Sequence, residues 1–293
     1  MYKRQILSRE LYDVLIGPVA ERLDPKRKIC LIPHKMLFQV PFTALTSPRE
    51  KPLLAEHHIF YAPSANVFLL STREAADKES FSEESVLAAG NPLFDPAEFE
   101  NLADLPAAEI EAQDVSGFYP KSKTLLGKNA TKKAFQNAVG ENEIIHFAGH
   151  YLVNEGAPLS SSLVFAKSGA NPKENLLTNA ELINAEMPRA KLVILSACQT
   201  GVEGFSNGEG LIGLSRTFLA AGVPLVVASQ WKVDSSATAK LMKNFHRFRR
   251  REKLSTVEAL RRAQMEMLDS PDEKHRSPYF WAAFAAFGGY ATF

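Results

Sequence analysis

The stretch that decides the fold is Lys191-Leu192-Val193-Ile194-Leu195-Ser196-Ala197-Cys198-Gln199-Thr200-Gly201. Its apolar, β-branched run reads as a buried strand that gives way abruptly to small and polar residues, which puts Cys198 at the strand's carboxyl end. Ligands of an open α/β sheet bind beyond that end. Glu143-Ile144-Ile145-His146-Phe147-Ala148-Gly149-His150-Tyr151 has the same build, an apolar strand closing on a histidine. If the two strands are parallel neighbours, Cys198 and His150 meet at one edge although 48 positions (198 − 150) part them. A thiol nucleophile then stands beside its base.

Around these strands the chain alternates helix and strand patterns. Leu7, Leu11, Val14 and Leu15 share one helical face until Gly17-Pro18 interrupts it. That helix begins almost at Met1, so we expect the chain to be the end of a longer polypeptide. Short strands follow at Lys28 to Ile32 and His58 to Tyr61, then a helix after Pro63-Ser64. The charged, Ser-rich residues Glu74 to Glu84 suggest an exposed connection and the best internal boundary, dividing a segment 1–80 from a core 81–293. The core alternates a strand at Val86 to Gly90, a helix at Ala107 to Val115, a short strand at Thr124 to Leu126 and a helix at Thr131 to Val139, with Thr131 as its N-cap. The His150 strand, an edge-like strand at Ser162 to Phe165, a helix near Thr178 to Ile183 and the Cys198 strand come next. A glycine-rich loop, Gly201 to Gly210, leads to a helix with Leu211, Leu214, Phe218 and Leu219, stopped by Gly222 and Pro224. Beyond the strand Leu225 to Ser229, Asp234 or Ser235 can cap a helix, and Ser255-x-x-Glu258 forms a capping box. Pro278 to Gly288 reads as a final buried strand. This order predicts an α/β fold with a mostly parallel sheet and helices on both faces.

Composition narrows the function classes. The 293 residues are 45% apolar and 23% charged with a net charge of +1, an ordinary globular balance that gives no reason to expect nucleic acid or membrane partners. The basic run His246 to Lys253 is expected to be the solvated last turn of a helix. Cys30 lies in an apolar run and Cys198 at a strand end, so a disulfide framework is not expected and a reducing, cytoplasmic setting is. Residues Met1 to Gln5 carry no apolar signal core, and no apolar run reaches the length of a membrane span.

Cysteine is often a plain core residue. What singles out Cys198 is the tight small-residue turn expected after it, with backbone N–H groups facing the sulfur. A free thiol is mostly protonated at neutral pH and needs a base, for which His150 is the natural choice. His146 and His150 are four apart, but Phe147-Ala148-Gly149 lacks the glutamate of a HExxH zinc site and Gly149 argues against a helix, so no metal or cofactor is expected. Both histidines should share one strand face, with His146 deeper as a core residue. Gly208-Glu209-Gly210-Leu211-Ile212-Gly213 matches GxGxxG with Asp234 beyond it, yet ten residues, Cys198 to Asn207, separate it from the preceding strand. A dinucleotide site needs those glycines in the turn itself.

Eight ordered blocks then resemble one family, the CHAT domain, a caspase-like module associated with TPR repeats. They are Leu11-Tyr12; Leu31-Ile32-Pro33 with Pro41-Phe42-Thr43-Ala44-Leu45; Tyr61-Ala62-Pro63-Ser64-Ala65; Gly90-Asn91-Pro92; His146 to His150; Leu195 to Gly201; Ser229 to Asp234; and Ser277 to Phe284. The resemblance implies a caspase-like three-layer sandwich with a central sheet of about six strands and the N-terminal segment packed on it. It implies a cysteine endopeptidase whose dyad is Cys198 and His150, working through an acyl-thioester. Its oxyanion donors would be backbone N–H groups at Cys198 and in a Gly149 to Tyr151 turn. Many members have Gly after the histidine; Tyr151 stands here and is expected to stiffen the turn and partly cover the cleft. The segment Gln230 to Ser235, with Gln230, Trp231, Val233 and Asp234, would line the substrate pocket, Asp234 either favouring a basic residue or only capping a helix. The expected partners are a protein or peptide substrate and an upstream repeat domain or regulator. The Gly201 to Gly210 loop would be an ordering switch or a self-cleavage site. The competing expectation is a non-proteolytic interaction module that keeps the fold.

Overall fold

Two-residue alternation governs the middle of the chain and splits its core in two. The computed structural model describes the backbone of residues 2–79, 84–169, 171–200 and 210–293, and the side chains of these except 2–5, 172, 198–200 and 210–212. Its strands are β1 (Lys28–Leu31), β2 (His58–Tyr61), β3 (Ser85–Gly90), β4 (Lys121–Leu126), β5 (Ile144–Leu152), β6 (Ser162–Val164), β7 (Leu176–Thr178), β8 (Leu192–Thr200), β9 (Leu225–Ser229) and β10 (Phe284–Gly288). Its helices are α1 (Tyr2–Leu15), α2 (Leu53–Glu56), α3 (Ala65–Lys78), α4 (Pro106–Ser116), α5 (Lys132–Val139), α6 (Asn179–Ile183), α7 (Gly210–Ala220), α8 (Ser235–Arg251), α9 (Thr256–Leu268) and α10 (Pro278–Trp281).

Along β5 and β8, Ile145, Phe147, Val193 and Leu195 face one way, against Phe135 of α5, Leu182 of α6 and Phe218 of α7. Ile144, Leu192 and Ile194 face the other way, against Val115 of α4, Leu241 and Phe245 of α8 and Leu260 of α9. Period-two side chains thus feed two helix layers from one sheet. The layers form as expected.

The sheet runs β1-β2-β10-β9-β8-β5-β3-β4, with a ribbon of β6 and β7 hanging from the end of β5. Strands β4, β3, β5, β8 and β9 are parallel, and β10 is antiparallel to β9, which accounts for the six expected. The N-terminal segment adds more: β1 and β2 continue the same sheet, because β10 offers its outer edge to β2 with Phe287 opposite Tyr61. Pro278 to Gly288 divides into α10 and β10 instead of forming one strand; Pro278 suits the first turn of a helix, where its missing N–H is harmless. Caps fall where the sequence puts them. Thr131 accepts from the Ala134 N–H at 3.2 Å, Asp234 caps α8, and Ser255 meets Glu258.

Two expectations of solvent exposure are corrected. Helix α3 continues to Lys78, and Glu84, expected on an exposed connection, is buried between Arg249, Arg250 and Lys191 at 2.5–3.1 Å. The basic run of α8 is likewise not all solvated, since His246, Phe248 and Arg249 are buried. From Arg249 a line of donors crosses the core: Arg249 donates to the Tyr119 hydroxyl at 3.5 Å and Tyr119 to His246 Nδ1 at 2.8 Å. His246 Nε2 then donates to His146 Nδ1 at 3.3 Å, and His146 Nε2 to Glu111 at 2.8 Å. Burial, then the nearby His146 and Arg249, hold the His246 pKa well below its usual value, which suits a neutral link. Glu84 precedes β3 and Lys191 precedes β8, so this cluster ties the amino ends of the strands to α8. The opposite end is left for the site.

Glycine 90 sets how closely α4 approaches that end. A Cβ there would lie 2.5 Å from the Ala108 carbonyl and 2.6 Å from the Ala112 Cβ. Gly90→Ala is therefore expected to push α4 off β3 and cost about 1–3 kcal/mol in chemical denaturation, the usual penalty of overpacking.

Candidate active site

Parallel pairing of β5 with β8 runs in unbroken register from Ile144 opposite Leu192 to Leu152 opposite Thr200, and it sets His150 directly opposite Cys198. The two positions are backbone neighbours at the carboxyl end of the sheet, next to the loop that opens α4. Two residues before Cys198, the buried Ser196 hydroxyl has no hydrogen-bond partner among the described residues.

His150 is held in one tautomer. It is 4% exposed, with Phe94 packed edge-on to its ring at 5.4 Å between centroids. Its Nε2 lies 2.7 Å from the Ala103 carbonyl oxygen. A carbonyl can only accept, so Nε2 carries the proton and in the neutral ring Nδ1 keeps the lone pair. Nδ1 is buried without a partner among the described residues. Burial lowers the His150 pKa, the Ala103 carbonyl raises it, Lys232 lowers it and Asp104 raises it, for a net decrease from the usual 6.5. The lowered pKa and the Ala103 contact leave the ring neutral and oriented at neutral pH. His146, four residues back on the same face, is the core residue the sequence suggests, closed off by Glu111 and His246.

The other candidate residues are placed as follows. Gly149 and Tyr151 do not form a turn: β5 runs through them to Leu152, because β6 pairs with Tyr151 and Leu152 on the side that β3 has vacated. Tyr151 does not cover the cleft. Alternation turns its ring to the opposite face, where its hydroxyl accepts from Asn179 at 2.9 Å. Asp234 spends its carboxylate on the α8 N-terminus, accepting from the N–H groups of Ser236 and Ala237 at 3.1 Å, with Lys274 3.7 Å away. Val233 packs in the core at 4% exposure. Gln230 and Trp231 remain half-buried near the surface; the Gln230 N–H donates to Ala283 and the Trp231 indole to Tyr279. The glycine-rich loop expected to switch or be cleaved lies, at 201–209, outside the described residues.

Sequence reading missed Phe94, Ala103 and Asp104, and it placed Lys232 only within the pocket segment and not beside His150. Ala103 acts through its backbone oxygen, which no side-chain pattern reveals. A usable signal was Gly90-Asn91-Pro92 at a strand end, since Asn tolerates the left-handed backbone that it adopts here at φ 46°.

A model of the CHAT domain family matches residues 5–289. The chain belongs to the CHAT domain family. This CHAT domain is 27% identical over 283 residues to Tetratricopeptide repeat protein 28 of Homo sapiens and 28% identical over 288 residues to that of Mus musculus. Each match covers 81% of the CHAT domain, which spans 11% of the length of these curated relatives. In shape it is similar to a chain of the Saccharomyces cerevisiae separase-securin complex, with a TM-score of 0.55 and 14% identity over 90% of this chain and 15% of that one. The CHAT domain has the caspase-like fold, a mostly parallel sheet between helix layers. Among the described residues no helix is long and apolar enough to cross a membrane.

Proposed function

We propose that this CHAT domain is a caspase-like cysteine endopeptidase with Cys198 as nucleophile and His150 as base. The observation that carries the reading is the lone pair of His150 Nδ1, buried and without a partner among the described residues, on the strand whose register partner is Cys198. His150 Nδ1 takes the thiol proton, and the sulfur attacks the scissile carbonyl carbon. The C–N bond breaks as the same nitrogen returns the proton to the leaving amine. Water, deprotonated in turn by His150, then cleaves the thioester to a carboxylate and regenerates the thiol. Backbone N–H groups at Cys198 and in the 149–151 segment are the proposed oxyanion donors. Gln230 and Trp231 are the proposed pocket lining, and the exposed Lys232 supplies the charge that acts on His150.

Cys30 supports the choice of thiol, because burial pushes its pKa up to about 11 and makes it inert. A reducing compartment fits a working thiol, and the relatives' name supports an attached repeat domain as regulator. The test is a peptide-library screen with mass-spectrometric detection of a peptidyl thiol-directed probe: cleavage and a single probe adduct at Cys198 are expected. The competing reading, an interaction module without peptidase activity, is favoured by the 4% exposure of His150. It predicts no adduct and no cleavage.

A pH profile follows from the charges. With its pKa lowered, His150 stays neutral below pH 6.5, so the acidic limb of kcat/KM is expected below that value. Lys232→Met removes a lowering influence and is expected to move the limb upward. An unmoved limb would detach Lys232 from the base.

A further inference from the structure

Asn91 joins the two sides of the His150 hydrogen bond. Its backbone N–H donates to the Ala148 carbonyl at 2.9 Å, fastening it to β5 two residues before His150. Its side-chain Nδ2 donates to Asp104 Oδ1 at 2.9 Å, and its Oδ1 accepts from the Leu105 N–H at 3.0 Å. These are the two residues that follow Ala103, whose carbonyl takes the His150 Nε2 proton at 2.7 Å. The path Asn91, Ala148, His150, Ala103, Leu105, Asn91 is a closed circuit of covalent and hydrogen bonds. Ala103 and Asp104 are themselves exposed, so the acceptor sits on a surface loop that its own burial does not hold. Asn91 is buried, and its left-handed backbone (φ 46°) is what turns the carboxamide from the end of β3 back over that loop.

We propose that Asn91 is a positioning residue that sets the His150 tautomer by fixing the Ala103 carbonyl, an inference that rests on the proposed peptidase reading only for its effect on rate. Without the clamp the loop is free to move the carbonyl out of reach, and Nδ1 and Nε2 then compete for the proton. The fraction of His150 with its lone pair at Nδ1 falls while substrate contacts are unchanged. The expected split is a kcat about 10–100-fold lower, the usual range for losing a partner that orients a functional histidine, with KM nearly constant.

The experiment uses the full chain with 15N-labelled histidine, the His150 signal being assigned by its loss in His150→Gln. Wild type is expected to show a single tautomer protonated at Nε2. Asn91→Gly, which keeps the left-handed backbone, and Asn91→Asp, which sets a carboxylate against Asp104, are expected to show averaged ring-nitrogen signals. Asp104→Asn retains an acceptor for Asn91 and is expected to keep the single tautomer. The exchanged pair Asn91→Asp with Asp104→Asn restores donor and acceptor in reverse and is expected to recover the wild-type signal and rate. A single Nε2-protonated tautomer in folded Asn91→Gly overturns the proposal. So does an exchanged pair that leaves the tautomer mixed or does not fold. The tautomer is read without substrate, so a chain with no peptidase activity still decides it, and such a result counts only against the catalytic reading.

Discussion

Cys198→Ala is expected to reduce turnover of the best library peptide by about 10⁴-fold or more, with the melting temperature nearly unchanged. Nucleophile and base act as a unit, so removing either one abolishes the covalent route, and residual rate comes from binding and oxyanion contacts alone. His150→Ala should fall to the same floor, and the double variant should go no lower. That lack of additivity is the stronger test. Were Cys198→Ala to cleave at the wild-type rate, the nucleophile would be elsewhere; were His150→Ala to lose less than about tenfold, Nδ1 would not be the base.

The second large effect lies at the other end of the sheet. Glu84→Gln leaves Arg249, 3% exposed in its side chain, and Lys191, 4% exposed, without their counter-charge. Breaking a buried pair by removing one partner costs about 3–5 kcal/mol, because the remaining charge stays desolvated. Burial alone would raise the Glu84 pKa, but Arg249 and Lys191 hold it down at about 2. Since the folded value is below the unfolded 4.5, its contribution is complete above that pH and is lost as pH falls toward 2. Urea melts of the wild type should therefore weaken steeply from pH 4.5 downward, and those of Glu84→Gln should weaken less. Parallel pH dependences would remove Glu84 from the acid response. Buried His246, with its pKa lowered, acts earlier: the unfolded chain takes up that proton near pH 6.5 and the fold does not, so stability starts to decline there.

Much of this fold was legible because alternating apolar residues and short caps are local signals. Ile144 to Phe147 and Leu192 to Leu195 announce buried strands, and Thr131, Asp234 and Ser255 announce helix starts, without knowledge of anything distant. The adjacency of His150 and Cys198 was legible for the same reason, as two strand ends of one chemistry. What stayed hidden was long-range. Nothing local says that Phe287 will lie opposite Tyr61, or that Glu84 will draw Arg249 out of water from 165 positions away. Glu84 and the Arg-rich end of α8 carry surface-like composition, and only their mutual neutralisation lets them be buried. The Ala103 carbonyl was out of reach for another reason, since a backbone oxygen has no residue type to betray it.

The place of β10 also constrains how the chain is made. Tyr61 of β2 must await Phe287 of β10, 226 positions later (287 − 61), before it gains its permanent neighbour. At typical ribosomal speeds of about 5–20 residues per second, Ile59, Phe60 and Tyr61 spend roughly 10–45 s outside the tunnel with that flank unpaired. A nascent product that stops short of Phe284 leaves β2 without the neighbour that β10 supplies, so a truncation there surfaces as exposed apolar edge at β2, more than 200 positions upstream.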